Sequence, residues 1–123
     1  MILGLRTVIY HVPDLERAKS WYSGILAAQP YFDQPFYVGF NVGGFELGLD
    51  PDTEGTHAEG SVVAYWGVAD AEVAYRRLLE QGATSHKSIQ DVGEGIKVAS
   101  VKDPFGNIFG IIENPHFEVA NVK

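Results

Sequence analysis

The sequence predicts an α+β fold made of two βαβββ modules in tandem. Three observations carry that prediction. A passage from a β-branched and aromatic run through an aspartate into a helical pattern occurs twice. Each copy closes on a similar glycine-punctuated stretch. The apolar residues recur with a period of two in the runs and at three- and four-residue spacing in the helices.

The first passage is LRTVIYHVPDLERAKSWYSGIL (5–26) and the second is SVVAYWGVADAEVAYRRLLEQGA (61–83). In the first, Leu15, Ala18, Trp21, Tyr22, Ile25 and Leu26 line one helical face, with Asp14 as the N-cap. In the second, Ala71, Ala74, Tyr75, Leu78 and Leu79 do the same behind Asp70, and Gly82 is the C-terminal stop. The spacing of Glu72 and Arg76 predicts an i, i+4 pair on a solvated face. VGGFELGLDPD closes the first copy and FGNIFGIIENP the second, with Phe45 over Phe109, Leu47 over Ile111 and Pro51 over Pro115. The second copy is longer, and its extra residues fall in SHKSIQDVGEGIKVASV, where Gly93 and Gly95 mark turns. DPFGN (Asp103–Asn107) supplies the last hairpin, which makes Asp103 a structural residue. The chain therefore divides into module one (about 1–50), a polar linker (51–60) and module two (61–116), all within one domain of 123 residues.

Composition narrows the chemistry. A 46 % hydrophobic chain of this length builds a packed core. Cysteine is absent, which excludes disulfides, thiolate catalysis and sulfur-ligated metals. Nine Lys and Arg against sixteen Asp and Glu give a net charge of −7, which opposes nucleic acid and anionic membranes and favours a neutral or cationic small molecule. No apolar run is long enough to span a bilayer and no leader pattern opens the chain, so the expectation is a cytoplasmic protein.

VPDLERAKSWYSGIL and DPFGNIFGIIENP, in that order across a duplicated module, resemble the signatures of the vicinal oxygen chelate superfamily. That superfamily groups glyoxalase I, extradiol dioxygenases, fosfomycin resistance enzymes and bleomycin resistance proteins. The resemblance covers nearly the whole chain. It implies a sheet curved into half-barrels, with a helix on the convex side of each module and the site on the concave face. It also implies a homodimer. Enzymes of the glyoxalase I kind bind one divalent metal through two side chains per module, one on the first strand and one on the last. Carried onto this chain, those positions are Thr7, Val63, Glu46 and Gly110, and only Glu46 bears a metal-binding group.

Strand parity places Thr7, Ile9, His11, Glu46, Gly48, Val63, Tyr65 and Ile112 on the concave face. The same parity turns Val8, Tyr10, Val62, Ala64, Trp66, Phe45, Leu47, Phe109 and Ile111 toward the helices. His11 stands roughly 13 Å along the strand from Thr7, outside the implied metal centre. The remaining histidines fall in loop-like stretches or after the last strand and receive no role.

Glu46, a carboxylate among apolar neighbours, needs a partner; Lys97, Arg6, Thr7, His11 and a tyrosine such as Tyr65 are the candidates. It is the candidate catalytic residue, as a general base, or a hydrogen-bonding anchor for a ligand; a purely structural role is the alternative of equal weight. Gly44, Gly48, Gly67 and Gly110 are expected to leave space, and Phe36, Tyr37 and Phe40 of PYFDQPFYVGF to wall it. The expected ligand-binding set is thus Thr7, His11, Phe36, Tyr37, Phe40, Glu46, Val63 and Tyr65. Two functions follow. One is a metal-independent small-molecule-binding protein that takes a partly apolar ligand. The other is a lyase- or dioxygenase-type enzyme with a rearranged divalent-metal site or with Glu46 as base.

Overall fold

The computed structural model describes residues 1–51, 62–104, 107–118 and 120. Residues 52–60 of the linker, with His57, and Phe105 and Gly106 of the expected last hairpin lie outside the described residues. The elements run β1 (Ile2–His11), α1 (Leu15–Leu26), β2 (Phe32–Gln34), β3 (Tyr37–Val42) and β4 (Phe45–Asp50), then β5 (Val62–Val68), α2 (Ala71–Glu80), β6 (Thr84–Asp91), β7 (Lys97–Lys102) and β8 (Ile108–Glu113). The protein is α+β, and the βαβββ order occurs twice, as the duplicated passages predict.

The chain forms two compact units, one of Met1–Arg6 with Val63–Glu118 and the other built on Thr7–Val62. The residues of β1 are divided between these units. Its pairing with β4 begins only at Thr7, opposite Glu46, so the first six residues take no part in that ladder. They belong to the unit in which β1 neighbours β5.

In the module-one unit the strand order is β2-β3-β4-β1, with β1 and β4 parallel and the others antiparallel. Residues directly opposite each other share a face. Val38, Leu49 and Tyr10 therefore lie on one side, as do Phe40 and Leu47. On that side Leu15, Val38, Phe40 and Leu49 form a buried cluster joined by Tyr10, Ala18, Tyr22, Leu26 and Leu47. Leu15, Ala18, Tyr22 and Leu26 are the inner stripe of α1, so helix period and strand period meet on the same core. Trp21 and Ile25, placed on that stripe by spacing alone, are instead 59 % and 63 % exposed. A 100° step per residue carries them past its edge.

In the module-two unit the order is β1-β5-β8-β7-β6. Val68, Ala71, Ala74, Ala99 and Ile111 form its buried cluster, flanked by Tyr75, Leu78, Ile89 and Phe109. The Trp66 ring stacks on Phe109 at 5.7 Å between centroids, on the helix side as parity requires. The extra length of this module is found in β6, eight residues against three in β2, whose register against β7 shifts twice.

Both expected caps form. Asp14 accepts from Arg17 N at 3.1 Å, and Asp70 accepts from Glu72 N and Val73 N at 3.0 and 3.1 Å. Gly82 follows α2 at φ +105°, a conformation that favours glycine, while α1 ends on Ala27 in the left-handed region without one. Asp103 is structural as expected: its carboxylate accepts from the backbone and side-chain amides of Asn107 at 2.9 and 3.1 Å. Glu72 does not follow its expectation. It reaches across to Lys97 of β7, at 3.4 Å.

Candidate functional site

The face of module one opposite α1 carries Glu46. Its strand neighbours there are Thr7 on β1 and Asn41 on β3, each directly opposite in register. One row along, Gly39 and Gly48 face each other across the β3–β4 ladder and leave a bare strip of backbone. Two phenols cross that strip. The Tyr31 hydroxyl donates to Glu46 Oε1, and the Tyr37 hydroxyl donates to Oε2.

The glycines make this crossing possible. A Cβ at Gly48 would stand 2.6 Å from Tyr37 Cζ, inside any real contact distance. A Cβ at Gly39 would stand 3.4 Å from both Glu46 Oε1 and Tyr31 Cε1. Tyr31 itself is fixed by its backbone, whose N–H donates to Gly39 O at 3.0 Å. Its residue surface is 64 % exposed, yet its hydroxyl end lies against the sheet. Desolvation of that end, then the hydrogen bond to Glu46 and the nearby negative charge, push its proton affinity well above the ordinary tyrosine value. Phe32 extends the aromatic surface, with ring centroids 6.0 Å from both Phe36 and Tyr37, and Phe36 is 65 % exposed.

Several sequence expectations are corrected by these contacts. Glu46 is satisfied by Tyr31 and Tyr37. Of its other candidate partners, Lys97 pairs with Glu72, and Arg6 lies on the Phe117 ring. Tyr31 precedes β2 and has no place in the alternation of a strand, so the sequence carries no signal for its role. Tyr37 is a hydrogen-bond donor as well as an aromatic surface. Phe40 is no wall of this face: fully buried, it sits opposite Leu47 in the α1 cluster. Its even spacing from Val38 shows the same thing once the register is known.

The glycines do not leave open space either. Gly48 lies under Tyr37 and Gly67 under Arg6, while Gly44 is a turn residue at φ +96°. Gly110 is covered by Tyr65, directly opposite it in the β5–β8 register, whose ring carbons would meet a Cβ at 2.6 to 2.9 Å.

Thr7 and His11 are buried, 7 % and 5 % exposed, and belong with Glu46, Tyr37 and Phe36 to the module-one unit. Val63, 3 % exposed, and Tyr65 belong to the module-two unit. His86 shares a hydrogen bond with Ser100, and His116 lies 2.8 Å from Glu94 O, both local contacts in module two.

A profile of the Glyoxalase/Bleomycin resistance protein/Dioxygenase superfamily matches residues 4–111. The chain belongs to this superfamily. Solved structures agree on the fold of this superfamily member. A glyoxalase/bleomycin resistance protein/dioxygenase superfamily member from Vibrio splendidus 12B01 aligns with a TM-score of 0.67 at 21 % identity, covering 89 % of this chain and 99 % of its own. A methylmalonyl-CoA epimerase variant from Streptomyces coelicolor, in complex with 2-nitronate-propionyl-CoA, aligns at 0.78 with 12 % identity, covering 94 % and 99 %. Methylmalonyl-CoA epimerase from Mycobacterium tuberculosis aligns at 0.72 with 19 % identity, covering 91 % and 88 %. No curated protein matches the sequence.

The divalent ion that glyoxalase I-like members hold finds poor donors in this superfamily member. Val63 offers no donor atom and Gly110 has no side chain and lies under Tyr65, so of the four positions only Glu46 and the hydroxyl of Thr7 carry oxygen donors. Among the described residues no three His, Asp or Glu side chains are grouped to hold a metal. The residues present do not fit the ion.

Proposed function

We propose that this superfamily member binds a small, partly apolar molecule without a metal, on the module-one face that carries Tyr31, Glu46 and Tyr37. One observation carries the proposal: a carboxylate in a sheet face, with each oxygen held by a phenol and exposed aromatic rings beside it. A carboxylate has about four acceptor positions. Two remain after the phenols for a donor on the ligand. Phe32 and Phe36 offer apolar surface to the rest of it. The acidic balance favours a neutral or cationic ligand, in which an amine or hydroxyl meets Glu46.

The test is a thermal-shift screen of aromatic amines and aromatic alcohols on the full chain. Compounds that stabilise the protein are expected to lose most of that effect in Glu46→Gln, and part of it in Tyr31→Phe. Equal stabilisation of Glu46→Gln removes the carboxylate from the site.

The phenol–carboxylate contacts also favour a second reading, an enzyme in which Glu46 is a general base. That reading requires solvent deuterium to enter a bound compound at carbon with the parent chain and not with Glu46→Gln. Binding without exchange returns the protein to the first reading.

A further inference from the structure

We propose that Arg6 is a binding site for the oxyanion of a small molecule, a carboxylate or a phosphate, on module two. In a chain with sixteen acidic residues against nine basic ones, a partly buried arginine is expected to find a carboxylate. Arg6 finds a ring instead, with its Cζ 3.8 Å from the Phe117 centroid. Among the described residues no carboxylate, carbonyl or hydroxyl accepts a hydrogen bond from its guanidinium.

The side chain nevertheless lies in space that two glycines leave for it. A Cβ at Gly67 would stand 2.7 Å from its Nε and 2.9 Å from its Cγ, so β5 lacks a side chain where Arg6 lies. Gly4, at φ +146°, does the same on β1, where a Cβ would stand 2.9 Å from Nη1. The ring lies against the guanidinium carbon, and a guanidinium over a ring keeps its N–H edge as a planar row of donors. That row matches two oxygens of a carboxylate or phosphate, and the guanidinium lies between the two glycines and the ring without a ligand. All four residues lie in the module-two unit. The proposal therefore stands or falls apart from the Glu46 reading.

The experiment follows the Arg6 Nε–Hε signal of the ¹⁵N-labelled full chain, identified by its loss in Arg6→Gln. Sodium benzoate is titrated in one arm and sodium phosphate in the other, at constant ionic strength set with chloride. A saturable shift with a dissociation constant on the order of millimolar is expected in at least one arm. The responding arm identifies the oxyanion as carboxylate or phosphate. Gly67→Ala keeps Arg6 but puts a methyl in its path, and is expected to weaken binding by about fivefold or more, roughly one kcal/mol. Phe117→Leu, which removes the ring and leaves β5 untouched, is expected to weaken it too, and decides the matter should Gly67→Ala fail to fold. No saturable shift in either arm overturns the proposal. So does parent-like binding by both variants, or benzoate- or phosphate-induced backbone shifts that persist in Arg6→Gln.

Discussion

Tyr31 keeps its proton on Glu46, and the alkaline behaviour of the protein follows from that contact. Its proton affinity is raised in the folded chain, first by desolvation and then by the carboxylate it donates to. The sign is fixed by linkage: above about pH 10 the unfolded chain releases this proton while the folded chain retains it. The contribution is whole below that pH and is lost as the pH climbs through the folded value. Tyr22, Lys19 and Lys97 shift in the same direction, so they add to the loss. Urea melts from about pH 9 to 11.5 are therefore expected to show falling stability, with a shallower fall in Tyr31→Phe. An equally steep fall in that variant would detach Tyr31 from Glu46. The sequence marks Glu46 as needing a partner but not which one, for a physical reason. Tyr31 precedes its strand, and its hydroxyl meets Glu46 through the fold of the β2–β3 hairpin, where its N–H bonds to Gly39 O and its ring passes the Gly39 backbone.

At the scale of elements, the two helices differ in how firmly their N-termini are held. Among the described residues the first turn of α1 has one side-chain acceptor, Asp14. The first turn of α2 has Asp70, bonded twice, and also Glu113 of β8, which accepts from Ala71 N at 2.8 Å. Orphan N–H groups and the helix dipole both favour such carboxylates. Asp70→Ala is expected to cost about 1 to 2 kcal/mol and Asp14→Ala about 0.5 to 1 kcal/mol, read as urea midpoints at unchanged slope. The reverse order would mean that Glu113 alone holds α2. These helices were legible because period and cap sit in adjacent residues. Glu113 was not legible as a cap, being 42 residues from its partner. Phe40 was misplaced for a similar reason. A strand's parity says which residues share a face but needs a ladder partner to say which face is the core, and Leu47 supplies it.

At the scale of the whole molecule, two of the four positions that correspond to the metal ligands of glyoxalase I-like members, Val63 and Gly110, carry no donor side chain. Protein purified without chelators and then dialysed against Ni²⁺, Zn²⁺ or Mn²⁺ is expected to retain well under one equivalent by elemental analysis. One tightly held equivalent, lost in Glu46→Gln, would refute this. The loss at position 110 also shapes what the chain can become. Gly110 and Tyr65 fit each other like a step and the foot that rests on it. Giving Gly110 a ligating side chain drives it into the ring, while trimming Tyr65 first leaves a hollow over bare backbone. Each single change is penalised, and only the pair together opens the position. A ligating side chain at position 110 is therefore not one substitution away: module two has a latch that must be lifted with both hands.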